Sequence, residues 1–372
     1  MSRVLILYIV QNSGHYAAAR YLDAALRKRD GDVETLCVDL LKHTHPGWEK
    51  IIERMYMVTI RRTPELWDAL YDSAWVEHLT RRLRQLVQQG KSESLRRLLA
   101  EFRPDAVVCT QAYPFAVIAS YAAREDPDLP IFAVATDFVP HRFWVTSNAC
   151  TARYVVPTES AAARLRWMGI DKQRIRVLGI PVSRDGTGAH SAPADTPMER
   201  RVLVMGGSRG LGVRYRTVRR IDLSAADFTI DAVCGSNRSL RRQLVRNRHR
   251  FKHPIRVRGY VRNAVALMSR ATMMVTKAGG LTLAEAACMG LPLLLVRPLP
   301  GQERKNTEVM VHHGAALHVR NEYDVSRSVT DLLDNPGLLR MLHDKALAFA
   351  RPDAAERIAG DVLDSIRSVA PA

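Results

Sequence analysis

Lys277, Gly279, Gly280, Thr282 and Glu285 fall within the stretch T-K-A-G-G-L-T-L-A-E, between an apolar run and a helical pattern. Glycines at such a junction let the backbone approach a ligand, and the free N–H groups of a helix start attract phosphate. Lys277 adds a cation. Thr282 and Glu285 also match the T-x-x-E of a capping box, in which the glutamate only satisfies a backbone N–H. The stretch is neither G-x-x-x-x-G-K-[ST] nor G-x-G-x-x-G, so on its own it leaves the phosphate cradle and the capped helix both open. Asp137 and His141, four apart after the apolar run 131–135, form another polar pair. It is either a structural hydrogen bond or acid–base machinery.

These groups need rigid supports, and the hydrophobic pattern supplies candidates. R-V-L-I-L-Y-I-V opens the chain and leads through Asn12-Ser13-Gly14-His15 into a helical pattern. R-V-L-V-M at 201–205 leads likewise into Gly206-Gly207-Ser208-Arg209-Gly210-Leu211-Gly212. Continuous apolar runs opening into glycine-bearing loops are the mark of buried parallel strands followed by helices. Further runs at 106–109, 131–135, 273–276 and 291–296 alternate with helical patterns. The expected architecture is α/β: two Rossmann-like parallel-sheet domains facing a central cleft, with ligands at the carboxyl ends of the strands. The expected boundaries are 1–182, a Gly/Ser/Pro-rich linker at 183–199, and 200–372 closed by an amphipathic helix at about 354–369.

The 372 residues carry a formal net charge of +17. That raises nucleic acid, an anionic membrane or an anionic substrate as partners. The arginines are spread over many segments and no nucleic-acid-binding signature is present, so no nucleic acid is expected. The five cysteines are scattered without metal-ligand spacing, which suggests a reducing, cytoplasmic setting. His43-x-His45 and His312-His313 lack further ligands, and no metal is expected. No secretory signal or spanning segment is expected. Trp48, Ile51, Ile52 and Met55 lie at helical spacing near Lys50, Arg54, Arg61 and Arg62, with Trp67 and Trp75 following. That segment is either a core-facing helix or one lying on an anionic membrane.

"MGGSRGLG", "CGSN", "GYV", "TKAGGLTLAEA", "PGQERKN" and the T-D-x-x-x-H-x-x-W of 136–144 together resemble the GT-B glycosyltransferases of family 28. Within them the chain is similar to the monogalactosyldiacylglycerol synthases and processive diacylglycerol glucosyltransferases, over nearly its whole length. T-K-A-G-G stands where the related GlcNAc transferases usually have S-R-x-G-A, which favours the glycolipid branch. The resemblance implies that Gly207 and Ser208 face a diphosphate, with Ser236 and Asn237 beside them, and that Tyr260 and Val261 lie against uracil. Gly279, Gly280, Leu281 and Thr282 would hold the phosphates, and Glu285 the ribose hydroxyls. Gln302, Glu303 and Asn306 would bind the sugar, and Lys277 would neutralise the leaving group.

His15 matches the family's glycine-glycine-histidine loop, although Asn12-Ser13 replaces the usual glycines. Histidine titrates near working pH, which suits a general base. His15 is the leading base, Asp137 its competitor or orienter, and His141 a phosphate or acceptor contact. Trp48, Ile52, Met55, Arg61, Arg62 and Trp144 would meet acceptor and membrane.

The implied activity is inverting, metal-independent transfer of a hexose from a UDP-sugar to a lipid hydroxyl, diacylglycerol first, at the inner face of the cell membrane. The alternatives are a polyprenyl-linked or secondary-metabolite acceptor, or a non-catalytic basic protein binding nucleic acid or membrane.

Overall fold

The structure, a computed structural model, describes residues 1–44, 92–146, 149, 151–183 and 200–369. The segment of Trp48, Ile52, Met55, Arg61 and Arg62, and the linker from 184 to 199, lie outside the described residues. The chain divides into two compact units, residues 1–182 together with 353–372, and residues 183–352.

In the first unit six parallel strands stand in the order β2-β1-β3-β4-β5-β6. They are β1 (Arg3–Tyr8), β2 (Glu34–Asp39), β3 (Ala106–Cys109), β4 (Ile131–Val134), β5 (Arg153–Val156) and β6 (Ile175–Val177). β1 is apolar from Val4 to Leu7 because both of its faces are covered there. Leu5 and Leu7 join one core with Phe115 and Tyr154, and Val4 and Ile6 join another with Leu22 and Leu26. Alternate side chains point to opposite faces, so a two-sided core demands an unbroken run.

The second unit repeats the plan in the order β12-β11-β10-β7-β8-β9. Its strands are β7 (Arg201–Met205), β8 (Thr229–Val233), β9 (Ile255–Arg258), β10 (Met273–Thr276), β11 (Leu293–Val296) and β12 (Ala316–Val319). Each strand of this sheet pairs in parallel with its neighbours. Two parallel α/β sheets are thus present as the apolar runs imply.

One expectation is corrected. The helix Ala354–Val369, assigned from sequence to the second half, packs on the first unit. Ala355, Ile358, Ala359, Val362 and Leu363 fill the core around Leu22 and Leu26 of the helix Gly14–Arg29. Arg153 pairs with Asp361 at 3.2 Å, and Arg367 lies 3.8 Å from Asp30. Periodicity reveals that a helix has an apolar face but not which surface that face will cover.

Ile358 is fully buried at this seam. Ile358→Ala should cost about 2–5 kcal/mol. Chemical denaturation followed by a probe in the first unit should show the loss, and an unchanged midpoint would place the helix elsewhere.

Candidate functional site

In the first unit β1 neighbours β3, and the order of strands reverses between them. Loops leaving that edge diverge, which makes the usual ligand crevice of an open parallel sheet. The loop after β1 ends at Ser13, whose hydroxyl accepts the Tyr16 N–H at 3.2 Å and caps the helix Gly14–Arg29. His15 is the second residue of that helix. Its Nδ1 lies 3.1 Å from the Thr110 carbonyl oxygen and 2.7 Å from the Thr136 hydroxyl. Thr110 follows β3 and its own hydroxyl donates to the His15 carbonyl at 3.0 Å, so the two loops grip each other. A carbonyl can only accept; Nδ1 therefore carries the proton, and Nε2 keeps the lone pair.

Burial lowers the pKa of His15 from the ordinary value of 6.5, against the opposing pull of the Asp137 charge and the Thr110 bond. The outcome is a neutral imidazole with a basic Nε2 near pH 7. Sequence reading named His15 and Asp137 but missed Thr110 and Thr136 as partners. Thr136 stood in the motif quoted above, yet only the alignment of β3 beside β4 brings it to the ring.

His141 caps the single turn Arg142–Trp144, its Nδ1 accepting the Phe143 N–H at 3.2 Å. Its proton is thereby directed to Nε2, which makes it a donor towards any anion or hydroxyl it meets. Arg164 holds the same loop by donating to the Pro140 carbonyl at 2.8 Å. Trp144, expected at the acceptor or membrane surface, is instead 5% exposed and packs, with tilted rings, near Phe115 and His141. It is core, and it supports the His141 loop from beneath.

In the second unit the reversal lies between β7 and β10, so the loop 206–212 and the stretch Lys277-Ala278-Gly279 emerge together. The helix Gly280–Cys288 starts from Gly279 as its N-cap. This corrects the capping-box reading: Thr282 is the third helical residue, and Gly279 has no side chain with which to cap. The first N–H groups of the helix, at Gly280, Leu281 and Thr282, have no intrahelical acceptor and carry the positive end of the dipole. Glu285 is buried on the next turn.

Glycines let the loops close on each other. Gly207 (φ 74°) and Gly212 leave room for Lys277, whose side-chain carbons lie 2.5–2.8 Å from where their β-carbons would stand. A β-carbon on Gly210 (φ 62°) would sit 2.1 Å from the Cys234 carbonyl. Asn237 joins the same loops, accepting the Leu240 N–H at 3.0 Å and donating to the Gly210 carbonyl at 3.1 Å. The Ser236 N–H donates to the Ser208 carbonyl at 2.8 Å.

Lys277 pairs with Glu303, whose other oxygen accepts the Leu299 N–H at 2.9 Å. Asn306, expected to touch sugar, is fully buried and donates to the Ala278 carbonyl at 3.0 Å, so it holds the cradle rather than lining it. Gln302, the first residue of the helix Gln302–His312, is half-buried. Tyr260 is exposed and Val261 half-buried after β9.

Burial pushes the Cys109 thiol up, and the Cys234 thiol up to about 11, so neither is a nucleophile near neutral pH. Among the described residues no group of three or more His, Cys, Asp or Glu side chains is placed to hold a metal ion.

Two parallel six-stranded units, each with polar loops gathered where strand order reverses, define the GT-B fold. Acinetobacter baumannii MurG shares it, with a TM-score of 0.65 at 16% identity over 98% of this chain and 100% of that one. So does Staphylococcus aureus MnaA in a co-structure with UDP, with a TM-score of 0.65 at 15% identity over 99% and 98%. Identity that low establishes the fold alone. Residues 15–182 match the family model of monogalactosyldiacylglycerol (MGDG) synthase and residues 201–358 that of the glycosyltransferase family 28 C-terminal domain, and together they mark the chain as a glycosyltransferase. A relative named processive diacylglycerol beta-glucosyltransferase, from Bacillus cytotoxicus, is 25% identical over 369 residues, 97% of this chain and 93% of its own.

Thr136→Val preserves shape but removes one of the two oxygens at His15 Nδ1. Turnover should fall by about tenfold, the loss expected for roughly one hydrogen bond's worth of alignment. Donor affinity should stay constant. The nitrogen NMR signals of His15 should show a more mixed tautomer population, and unchanged signals would remove Thr136 from this role.

Proposed function

We propose that the protein moves a hexose from a UDP-sugar to the hydroxyl of diacylglycerol, inverting the anomeric centre to give a β-glycolipid. The observation that carries this reading is the open helix start at Gly280, with Lys277 beside it, at the strand reversal of the family 28 domain. The acceptor is supported by the name of the Bacillus relative, and the nucleotide by the UDP of the MnaA co-structure.

In this scheme His15 Nε2 takes the proton from the acceptor hydroxyl as that oxygen bonds to the anomeric carbon. The bond from that carbon to the diphosphate oxygen breaks, and its electron pair leaves with UDP. Gly207, Ser208 and the N–H groups of Gly280, Leu281 and Thr282 bind the diphosphate, and they carry the leaving charge with Lys277 in place of a metal ion. Tyr260 and Val261 face uracil, Glu285 the ribose hydroxyls, and Gln302 with Glu303 the sugar. Asp137 favours the imidazolium that forms as the proton arrives.

A lipid acceptor requires the enzyme to work at a membrane surface. Among the described residues no helix is long and apolar enough to cross one. Peripheral binding at the inner face, aided by the net charge of +17, fits that requirement.

Purified protein offered several UDP-sugars and diacylglycerol vesicles should yield a hexosyl lipid by mass spectrometry, with or without a chelator. Absence of UDP binding by calorimetry at millimolar nucleotide would overturn the reading. His15→Ala should keep UDP binding and lose transfer by about 10²–10⁴-fold. The base must be neutral to act, so kcat/KM should hold as pH falls to 6.5 and decline only below it. Asp137→Asn removes the charge that raises His15, and should move that acid limb lower still.

A further inference from the structure

The positive charge is not evenly distributed after all. Between Arg238 and Arg262 ten of 25 residues are Lys or Arg, against 55 in 372 overall. The chain has no Asp or Glu anywhere between Asp231 and Glu285, although 38 occur in the whole sequence. An arginine-rich composition alone would have left some carboxylates in so long a stretch.

The fold turns this composition into a surface. The helix Arg238–Arg246 runs beside the edge strand β9, and it buries only Leu240 and Leu244. Its opposite face presents Arg238, Arg241, Arg242, Val245 and Arg246, a stripe at helical spacing. Arg248, His249 and Arg250 extend the exposed surface past the helix end. All ten basic side chains of 238–262 are exposed.

Two nearby carboxylates are engaged off the helix stripe. Asp222 bonds Arg219 and His253, and Asp231 lies 3.9 Å from Arg258. Like charges packed this closely repel, a cost that an anionic partner removes. The stripe starts beside the Cys234-Gly235-Ser236-Asn237 loop, since Asn237 is the helix N-cap.

We propose that this face of the second unit, centred on Arg242 and Arg246, docks on the anionic surface of a lipid bilayer. Two observations favour a bilayer over nucleic acid. Val245 is 48% exposed within the arginine stripe, an apolar side chain that headgroup-level lipid would cover. The arginines also lie along a single short helix without interleaved aromatic rings on which bases would stack. The proposal rests in part on the lipid-acceptor reading, because that reading requires a membrane near the enzyme. It is nevertheless separate from transfer, since vesicle binding needs neither donor nor acceptor. The surface also lies outside the segment 48–62, to which the sequence alone pointed for membrane contact.

The test is sedimentation of the full chain with vesicles of phosphatidylcholine containing 30% phosphatidylglycerol, and with pure phosphatidylcholine. The wild type should prefer the anionic vesicles, and salt should weaken that preference. The triple variant Arg242→Gln, Arg246→Gln, Arg248→Gln should lose about 100-fold in partitioning, at about fivefold per exposed charge near the surface. Its thermal unfolding and UDP affinity should be unchanged, because none of the three touches the glycine loops.

Partitioning equal to wild type would overturn the proposal, as would an equal loss on neutral vesicles. Retained vesicle binding with a lost affinity for single-stranded RNA would assign the face to nucleic acid instead. If the triple variant loses vesicle binding while neither protein transfers sugar to diacylglycerol, the docking surface stands and the acceptor assignment falls.

Discussion

Every strand in both sheets runs in the same direction as its neighbours, and that polarity is the constraint on which the rest depends. Parallel strands deliver their following loops to one edge, and a reversal of strand order spreads two of those loops apart. In the first unit the reversal lies between β1 and β3, so His15 meets Thr110. In the second it lies between β7 and β10, so Lys277 crosses the glycine loop that follows β7. The chemistry of each half is set at the point where the sheet stops growing in one direction and begins in the other.

The two edges answer opposite electrostatic needs. At the first, burial keeps an imidazole neutral while the Thr110 carbonyl and the Thr136 hydroxyl orient its ring, and the Thr110 hydroxyl holds the His15 backbone carbonyl, which readies the ring to receive a proton. At the second, glycines clear space for a lysine next to an uncapped helix start, which concentrates positive potential for an anion. Glu303 balances that potential by pairing with Lys277 while also accepting the Leu299 N–H. The pair therefore links two loops whose shapes must agree, and Asn306 secures them from below through the Ala278 carbonyl.

Much of this was legible in the residue order. Unbroken apolar runs announced β1, β3, β4, β7, β10 and β11, because strands covered on both faces cannot alternate. β9 gave no such signal: Arg256 and Arg258 alternate with Ile255 and Val257 at a sheet edge. The glycine pair at 279–280 marked the helix start, yet T-x-x-E pointed to a cap three residues too late. A glycine N-cap leaves no side-chain signature, whereas an internal threonine and glutamate imitate one. Trp144 was misjudged for a related reason. The motif that carries this indole does not say what will pack against it, and here Phe115 does.

The sequence by itself determined the class of fold, the glycine-bearing loops, the histidine that suits a base and the family that they resemble. These are local properties, carried by periodicity and by residues whose chemistry does not depend on distant neighbours. Only the tertiary structure decided which His15 nitrogen carries the proton, that Asn306 is spent on the backbone, and that the last helix completes the first unit. Each of those outcomes depends on residues far apart in the chain becoming neighbours, and strand order and helix packing determine which ones do.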